Sequence, residues 1–125
     1  MRAYRESKSI STPESTGTTI NRIVQIYSRE AAKIFGDKLR AVILFGSYAR
    51  GDFDEESDID LMVLLDLPRE QITDARKKMR IIADKLDMEY NCVISAVFQS
   101  YDFYEDYKSA SPFYQNVERE GILVG

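Results

Sequence analysis

Two apolar runs separated by a short, charged turn constrain this chain more than any other feature. The first, Arg40-Ala41-Val42-Ile43-Leu44-Phe45-Gly46-Ser47-Tyr48-Ala49-Arg50-Gly51, leads into an acidic connector. The second follows as Ser57-Asp58-Ile59-Asp60-Leu61-Met62-Val63-Leu64-Leu65. Residues 41–45 are continuously apolar and of a length suited to a buried strand. Gly46 allows a sharp turn where the chain leaves the sheet and leaves room for a bulky ligand. Ser47 offers that ligand a hydroxyl and an N–H, and Tyr48 to Arg50 suit the start of a short helix, whose open N–H groups favour a phosphate. In the second run, side chains alternate between faces. Asp58 and Asp60 therefore fall on one face, about 6–7 Å apart, with Ile59 and Leu61 turned to the core. Two carboxylates side by side repel each other, and a hard divalent cation such as Mg2+ is the usual remedy beside phosphates. The pattern predicts a metal–phosphate site between neighbouring strands.

Composition narrows what surrounds that site. A chain of 125 residues suits one domain. A net charge of −4 disfavours direct binding of nucleic acid. No apolar run approaches a membrane span, and the polar stretch from Met1 to Ser11 lacks the apolar segment of a signal peptide. Cys92 is the single cysteine and there is no histidine, so an internal disulfide, a thiolate metal cluster, a histidine base and a typical catalytic zinc site are all excluded. These features lead us to expect a cytoplasmic protein.

Residues 1–17, rich in Ser, Thr, Pro and Gly, read as a flexible lead-in to a single domain over 18–125. Thr18 or Thr19 caps an expected helix whose stripe is Ile20, Ile23, Val24, Tyr27, Ala31, Ile34 and Phe35. Either Gly36 ends it or it continues to about Lys38. From Gly46 to Asp60 there are six carboxylates and one arginine, a local charge of −5 that favours cations. Phe53 either packs on the core or stacks on a base. Pro68 suits the first position of a second helix with the stripe Ile72, Ala75, Met79, Ile82, Ala83 and Leu86. That helix has a basic outer side of Arg69, Arg76, Lys77, Lys78, Arg80 and Lys85, facing solvent, an acidic protein or nucleic acid. Residues 90–98 read as a third strand. As a helix, 101–109 gathers Phe103, Tyr104 and Tyr107 on one side. Ser111-Pro112 caps a helix to Glu120, with Phe113 and Val117 inward and Gly121 as terminator. Ile122-Leu123-Val124 is an edge strand or a docking tail. Tyr and Phe give large, rigid contact area, so the C-terminal aromatic region is also a candidate surface for homo-oligomers. The expected fold class is α/β (α+β): a small mixed sheet with helices over one face, strands near 41–45, 58–65 and 90–98, and helices near 19–38, 69–86, 101–109 and 112–120.

Gly46-Ser47-x-x-x-Gly51 followed by Ser57-Asp58-Ile59-Asp60-Leu61 resembles the signature of the DNA polymerase beta-like nucleotidyltransferases. The minimal (MNT) branch is the nearest match. The ending Ser111-Pro112-Phe113-Tyr114-Gln115-Asn116-Val117-Glu118-Arg119-Glu120-Gly121 is similar to the tail of these small proteins. The resemblance implies ATP as donor and Mg2+ as cofactor, with Gly46 and Ser47 on the terminal phosphates and Asp58 and Asp60 as metal ligands and catalytic residues. It puts Arg50 on a phosphate, or else in a salt bridge to the connector, and Ser57 at the entrance to the strand. Relatives supply a third carboxylate from the next strand. Here that place falls on Ser95 or a neighbour, with no Asp or Glu between Tyr90 and Ser100. Serine is neutral and a weak ligand for Mg2+. Glu89, just before the expected strand, is the further candidate ligand, and Asp87 lies further off.

Minimal members commonly partner a small helical protein of the HEPN type. Several such pairs resemble toxin–antitoxin modules, in which the toxin is neutralised by binding or by attachment of AMP to a tyrosine. The resemblance therefore implies an adenylyltransferase antitoxin with a HEPN partner. The alternative is a binding module that blocks its partner sterically, which the missing carboxylate favours. Nucleotidyl transfer to a small molecule or an RNA end is a third possibility, which the acidic balance disfavours.

Overall fold

The computed structural model describes residues 14–124, with side chains from Gly17 onward. In order these form α1 (Glu14–Phe35), a 3-10 turn (Gly36–Lys38), β1 (Leu39–Phe45), α2 (Ser47–Arg50) and β2 (Ile59–Leu65). A second 3-10 turn (Arg69–Gln71), α3 (Ile72–Tyr90), β3 (Ile94–Ser100), α4 (Tyr101–Tyr107), α5 (Pro112–Glu120) and β4 (Ile122–Val124) follow. The strands make one mixed sheet ordered β3-β2-β1-β4, with β2 antiparallel to β1 and parallel to β3, and β4 antiparallel to β1. No helix among the described residues is long and apolar enough to cross a membrane.

The sheet is buried on both faces, which corrects the expectation of helices over one face. Val42 and Leu44 of β1, with Ile59, Leu61, Val63 and Leu65 of β2, pack with the stripes of α1 and α3. Their alternates, Ala41, Ile43, Met62 and Leu64, form a second cluster with Tyr104 of α4 and Val117 of α5. The cause is visible in β1 and β2 themselves. Both are apolar on successive residues, so each needs cover on both sides.

Several boundaries differ from the sequence expectation. The first helix begins at Glu14, ahead of Thr18, so residues 14–17 of the expected lead-in are helical and residues 1–13 lie outside the described residues. A helix already anchored by its apolar stripe extends past the first capping residue toward its N-terminus. Ile34 turns outward while Phe35 is half-buried. Pro68 precedes a 3-10 turn, and the helix proper starts at Ile72. The third strand starts at Ile94, four residues after the expected Tyr90. Instead α3 runs through Tyr90 and is closed by Asn91 at φ +51°, with the Cys92 N–H donating to the Asp87 carbonyl at 3.1 Å.

The C-terminal segment is mostly core. The Tyr104 ring is fully buried, and its hydroxyl donates to Glu118 Oε2 at 2.8 Å. Ser111 caps α5 by accepting from the Tyr114 N–H at 3.2 Å, with Pro112 in the first turn. Val117 faces inward as expected. Phe113 does not, staying 43% exposed, edge-on to Phe45. Gly121 ends α5 through close approach: a Cβ there would lie 2.4 Å from the Val117 carbonyl oxygen and 2.6 Å from Ile43 Cγ2. The terminal apolar segment is an edge strand, paired through Ile122 with Leu44.

One buried group is uncompensated. Tyr27 of α1 is fully buried, and its hydroxyl has no hydrogen-bond partner among the described residues. Burial raises its pKa, so the hydroxyl stays protonated. Removing an unsatisfied hydroxyl without changing the ring removes a desolvation cost. Tyr27→Phe is therefore expected to stabilise the fold by about 1 kcal/mol, read as a higher melting temperature.

Candidate functional site

The site is built where β1 leaves the sheet and β2 enters it. Asp60, the second residue of β2, pairs with Phe45 on one side and with Ser95 of β3 on the other. Gly46 follows Phe45 with φ +75°, and a Cβ there would lie 2.2 Å from Asp60 Oδ2. No larger residue fits: the conformation disfavours a side chain, and its first carbon would occupy the place of the carboxylate. The glycine therefore lets an acidic group rest directly on the backbone of the turn.

The turn continues as α2. The N–H groups of Ala49 and Arg50 donate to the Gly46 carbonyl at 3.1 and 3.0 Å, and that of Gly51 donates to the Ser47 carbonyl at 2.8 Å. Tyr48 and Ala49 face the core, and Tyr48 stacks on Phe53 with centroids 4.5 Å apart. That contact places Phe53 in packing. Ser47 is half-buried and Arg50 exposed, beside the opening. Arg50 Nε donates to Asp52 Oδ2 and Nη1 to Glu120 Oε1, each at 3.1 Å.

Asp58 is exposed and lies immediately before β2. Burial is the main reason the pKa of Asp60 is raised. The charge of Asp58 adds to this and that of Arg50 opposes it. These two carboxylates thus share one electrostatic environment. Ser57 acts within the connector, where its hydroxyl accepts from the Asp54 N–H at 2.9 Å and donates to Asp54 Oδ1 at 3.2 Å, closing that segment into a turn.

Glu89 does not join this group. It is exposed in the last turn of α3, because the helix continues where a strand was expected. No group of three or more acidic, cysteine or histidine side chains among the described residues is arranged to hold a metal. Asp87, set aside on sequence, is closer to the machinery. Its Oδ1 accepts from the Ile94 N–H at 2.9 Å and from the Cys92 thiol at 3.7 Å, fixing the start of β3 beside Asp58 and Ile59. The Ile59 N–H in turn donates to the Val93 carbonyl at 2.8 Å. Burial and Asp87 push the Cys92 thiol up to about 11, which keeps it un-ionised.

The basic residues of α3 form a separate surface. Arg76, Lys77, Lys78 and Lys85 are exposed, Arg80 pairs with Asp84 at 3.8 Å, and Arg69 lies 4.2 Å over the Phe103 ring. A groove of about 310 Å³, lined by Phe35, Lys38, Leu67, Ala75 and Lys78 among others, opens where β1 begins and β2 ends. That is the opposite end of these strands from Gly46 and Asp58.

Comparison with known proteins agrees with this fold. Residues 27–120 match the model of the nucleotidyltransferase domain. Over 109 residues the chain is 35% identical to "Putative protein adenylyltransferase MJ0141" of Methanocaldococcus jannaschii, spanning 84% of this chain and 98% of that protein. A second protein of that organism with the same designation, MJ0604, is 37% identical over 87 residues, or 70% of this chain and 79% of its own. Among solved structures, a toxin–antitoxin crystal structure with AMP-PNP superposes with a TM-score of 0.52 at 26% identity, over 81% of this chain and 72% of that one. A Sulfolobus solfataricus protein at 21% identity shares the fold, with a TM-score of 0.54 over 83% of this chain and 78% of its own. The chain belongs to the nucleotidyltransferase domain family.

Two outcomes follow from the packing of Gly46 on Asp60. Gly46→Ala is expected to displace the carboxylate, destabilise the fold by about 1–3 kcal/mol and abolish nucleotide binding, as read by thermal melting and calorimetric titration. Asp60→Asn is expected to do the reverse to stability. The folded-state pKa of Asp60 is raised, so ionisation opposes folding, and wild-type stability falls as pH rises through that pKa. Without ligands, Asp60→Asn should melt about 2 °C higher at pH 7, the group being partly screened by solvent. The difference should vanish as pH falls below the ordinary carboxylate range.

Proposed function

We propose that this protein transfers AMP from ATP, with Mg2+, to a hydroxyl on a HEPN-type protein partner, acting as the antitoxin of that pair. The observation that carries this is the carboxylate of Asp60 resting on Gly46, beside Asp58 and the open turn Ser47–Arg50. The designations of the Methanocaldococcus relatives support protein adenylylation, and the solved toxin–antitoxin with AMP-PNP supports use of an adenine nucleotide and a toxin as partner.

The donor set suits one metal ion. Asp58 and Asp60 offer hard oxygen ligands; burial, with the charge of Asp58 adding to it, raises the pKa of Asp60, and a divalent cation bound there would relieve that cost. Mg2+ bound there supplies Lewis-acid stabilisation of charge on the phosphate oxygens. Gly46 leaves space for the triphosphate to approach the backbone, and Ser47 offers a hydroxyl and an N–H to its terminal phosphates. Arg50 neutralises phosphate charge. The acceptor oxygen bonds to the α-phosphorus as the bond to pyrophosphate breaks; pyrophosphate leaves with the electron pair and the hydroxyl proton passes to solvent. Holding the two reactants in line is the protein's main contribution.

A steric antitoxin is the second possibility, and Ser95 favours it. This neutral side chain stands opposite Asp60 in register, so β3 contributes no carboxylate to bind a further metal ion or take the acceptor proton.

The test is transfer of label from ATP carrying it at the α-phosphate to the purified HEPN-type partner with Mg2+, alongside Asp58→Asn/Asp60→Asn. Labelled partner with wild type, and at least a roughly 100-fold loss in the double variant, are expected. Tight partner binding by both forms with no label from any of the four nucleotides would leave only the steric antitoxin.

A further inference from the structure

We propose that Glu120, the last residue of α5, is a positioning residue that holds the Arg50 guanidinium ready for the β- and γ-phosphates of the nucleotide. The inference deepens the proposed function and rests on it. Arg50 and Glu120 are 70 residues apart in the chain and 3.1 Å apart in space. Asp52, which accepts from Nε, is only two residues on and belongs to the same exposed turn as Arg50. Glu120 is different, because its backbone is tied to the sheet. Val117 is fully buried one turn earlier, Gly121 sits against Ile43 with no room for a side chain, and Ile122 pairs with Leu44. Ile43 and Leu44 belong to β1, which ends just before Gly46. The glycine turn and the anchor of Arg50 therefore hang from one strand.

The grip leaves one side of the guanidinium open. Nε and Nη1 are engaged, while Nη2 has no hydrogen-bond partner among the described residues. Arg50 belongs to the Gly46 turn, its N–H donating to the Gly46 carbonyl at 3.0 Å, and Gly46 lies against Asp60, so the cation stands on the turn beside the carboxylate where the phosphates would arrive. An ion pair this exposed adds little stability. Its consequence is orientation: a planar fork fixed on two sides presents the third to a phosphate with little entropy left to lose.

Electrostatics alone makes the opposite forecast, which gives the test a sign. Glu120→Gln removes a negative charge near the site, so without a positioning role it should tighten the binding of an anion. Positioning predicts weaker binding. The experiment is calorimetric titration of Mg·ATP and of AMP into wild type, Glu120→Gln and Glu120→Asp, with melting temperatures and the side-chain Nη–H NMR signals of Arg50. Expected are a roughly 10-fold weaker Mg·ATP affinity in Glu120→Gln (the lower end of the cost of losing a supporting contact), unchanged AMP affinity, partial recovery in Glu120→Asp, and faster solvent exchange of the Nη–H protons. Melting temperatures should agree within about 2 °C. Unchanged or tighter Mg·ATP binding in Glu120→Gln, equal losses for ATP and AMP, or unaltered Nη–H signals would overturn the inference alone. A wild type that binds no nucleotide would overturn the proposed function and this inference together.

Discussion

The carboxylate of Asp60 lies where any side chain on Gly46 would have to be, and much of the structure follows from that contact. It requires β1 and β2 to meet in one register, Phe45 opposite Asp60, so that the turn leaving one strand arrives over the acid entering the other. That register needs two apolar strands covered on both sides, which α1 and α3 supply on one face and α4 and α5 on the other. The contact also has an electrostatic cost. An acid half-buried against backbone and near Asp58 ionises reluctantly, and the fold holds it there with only Arg50 in partial compensation. Sites that bind charged ligands commonly carry such strain when empty.

The parts of this design carried by local pattern were legible in the sequence. Gly46-Ser47 after an apolar run and Asp58-Ile59-Asp60 before another pointed to the candidate site, because strand alternation and glycine freedom act within a few residues. The stripes of α1 and α3 were equally clear. The second helical layer was less so, although the cue was present: successive apolar residues in β1 and β2 demand cover on both faces. The end of α3 was misjudged because Tyr90, Cys92 and Val93 suit a strand as well as a helix. An asparagine at φ +51° and the carboxylate of Asp87 decide the matter, and neither has a periodic signature. Glu89 was misplaced for the same reason. Glu120 was invisible as a partner of Arg50, since the fold alone brings them together across 70 residues.

The third strand sets the limits of the chemistry. Ser95 stands beside Asp60 in parallel register, on the edge strand of the sheet. Its hydroxyl is neutral, so the local negative charge comes from Asp58 and Asp60 with the acidic connector nearby. A site with two carboxylates suits one divalent ion together with the oxygens of a triphosphate. Membership of the nucleotidyltransferase domain family is consistent with this arrangement. Holding a nucleotide and transferring part of it thus make different demands on these residues, the second being the heavier.

The most direct measurement is calorimetric titration of ATP into the wild-type protein with Mg2+ and with EDTA, repeated on Asp60→Asn. Binding that needs the metal, and is lost when Asp60 becomes neutral, is the outcome expected if Asp58 and Asp60 form a metal–nucleotide site on Gly46. Equal affinity in EDTA, or equal affinity in Asp60→Asn, would show that the nucleotide does not depend on this pair of carboxylates and would contradict the assignment of the site.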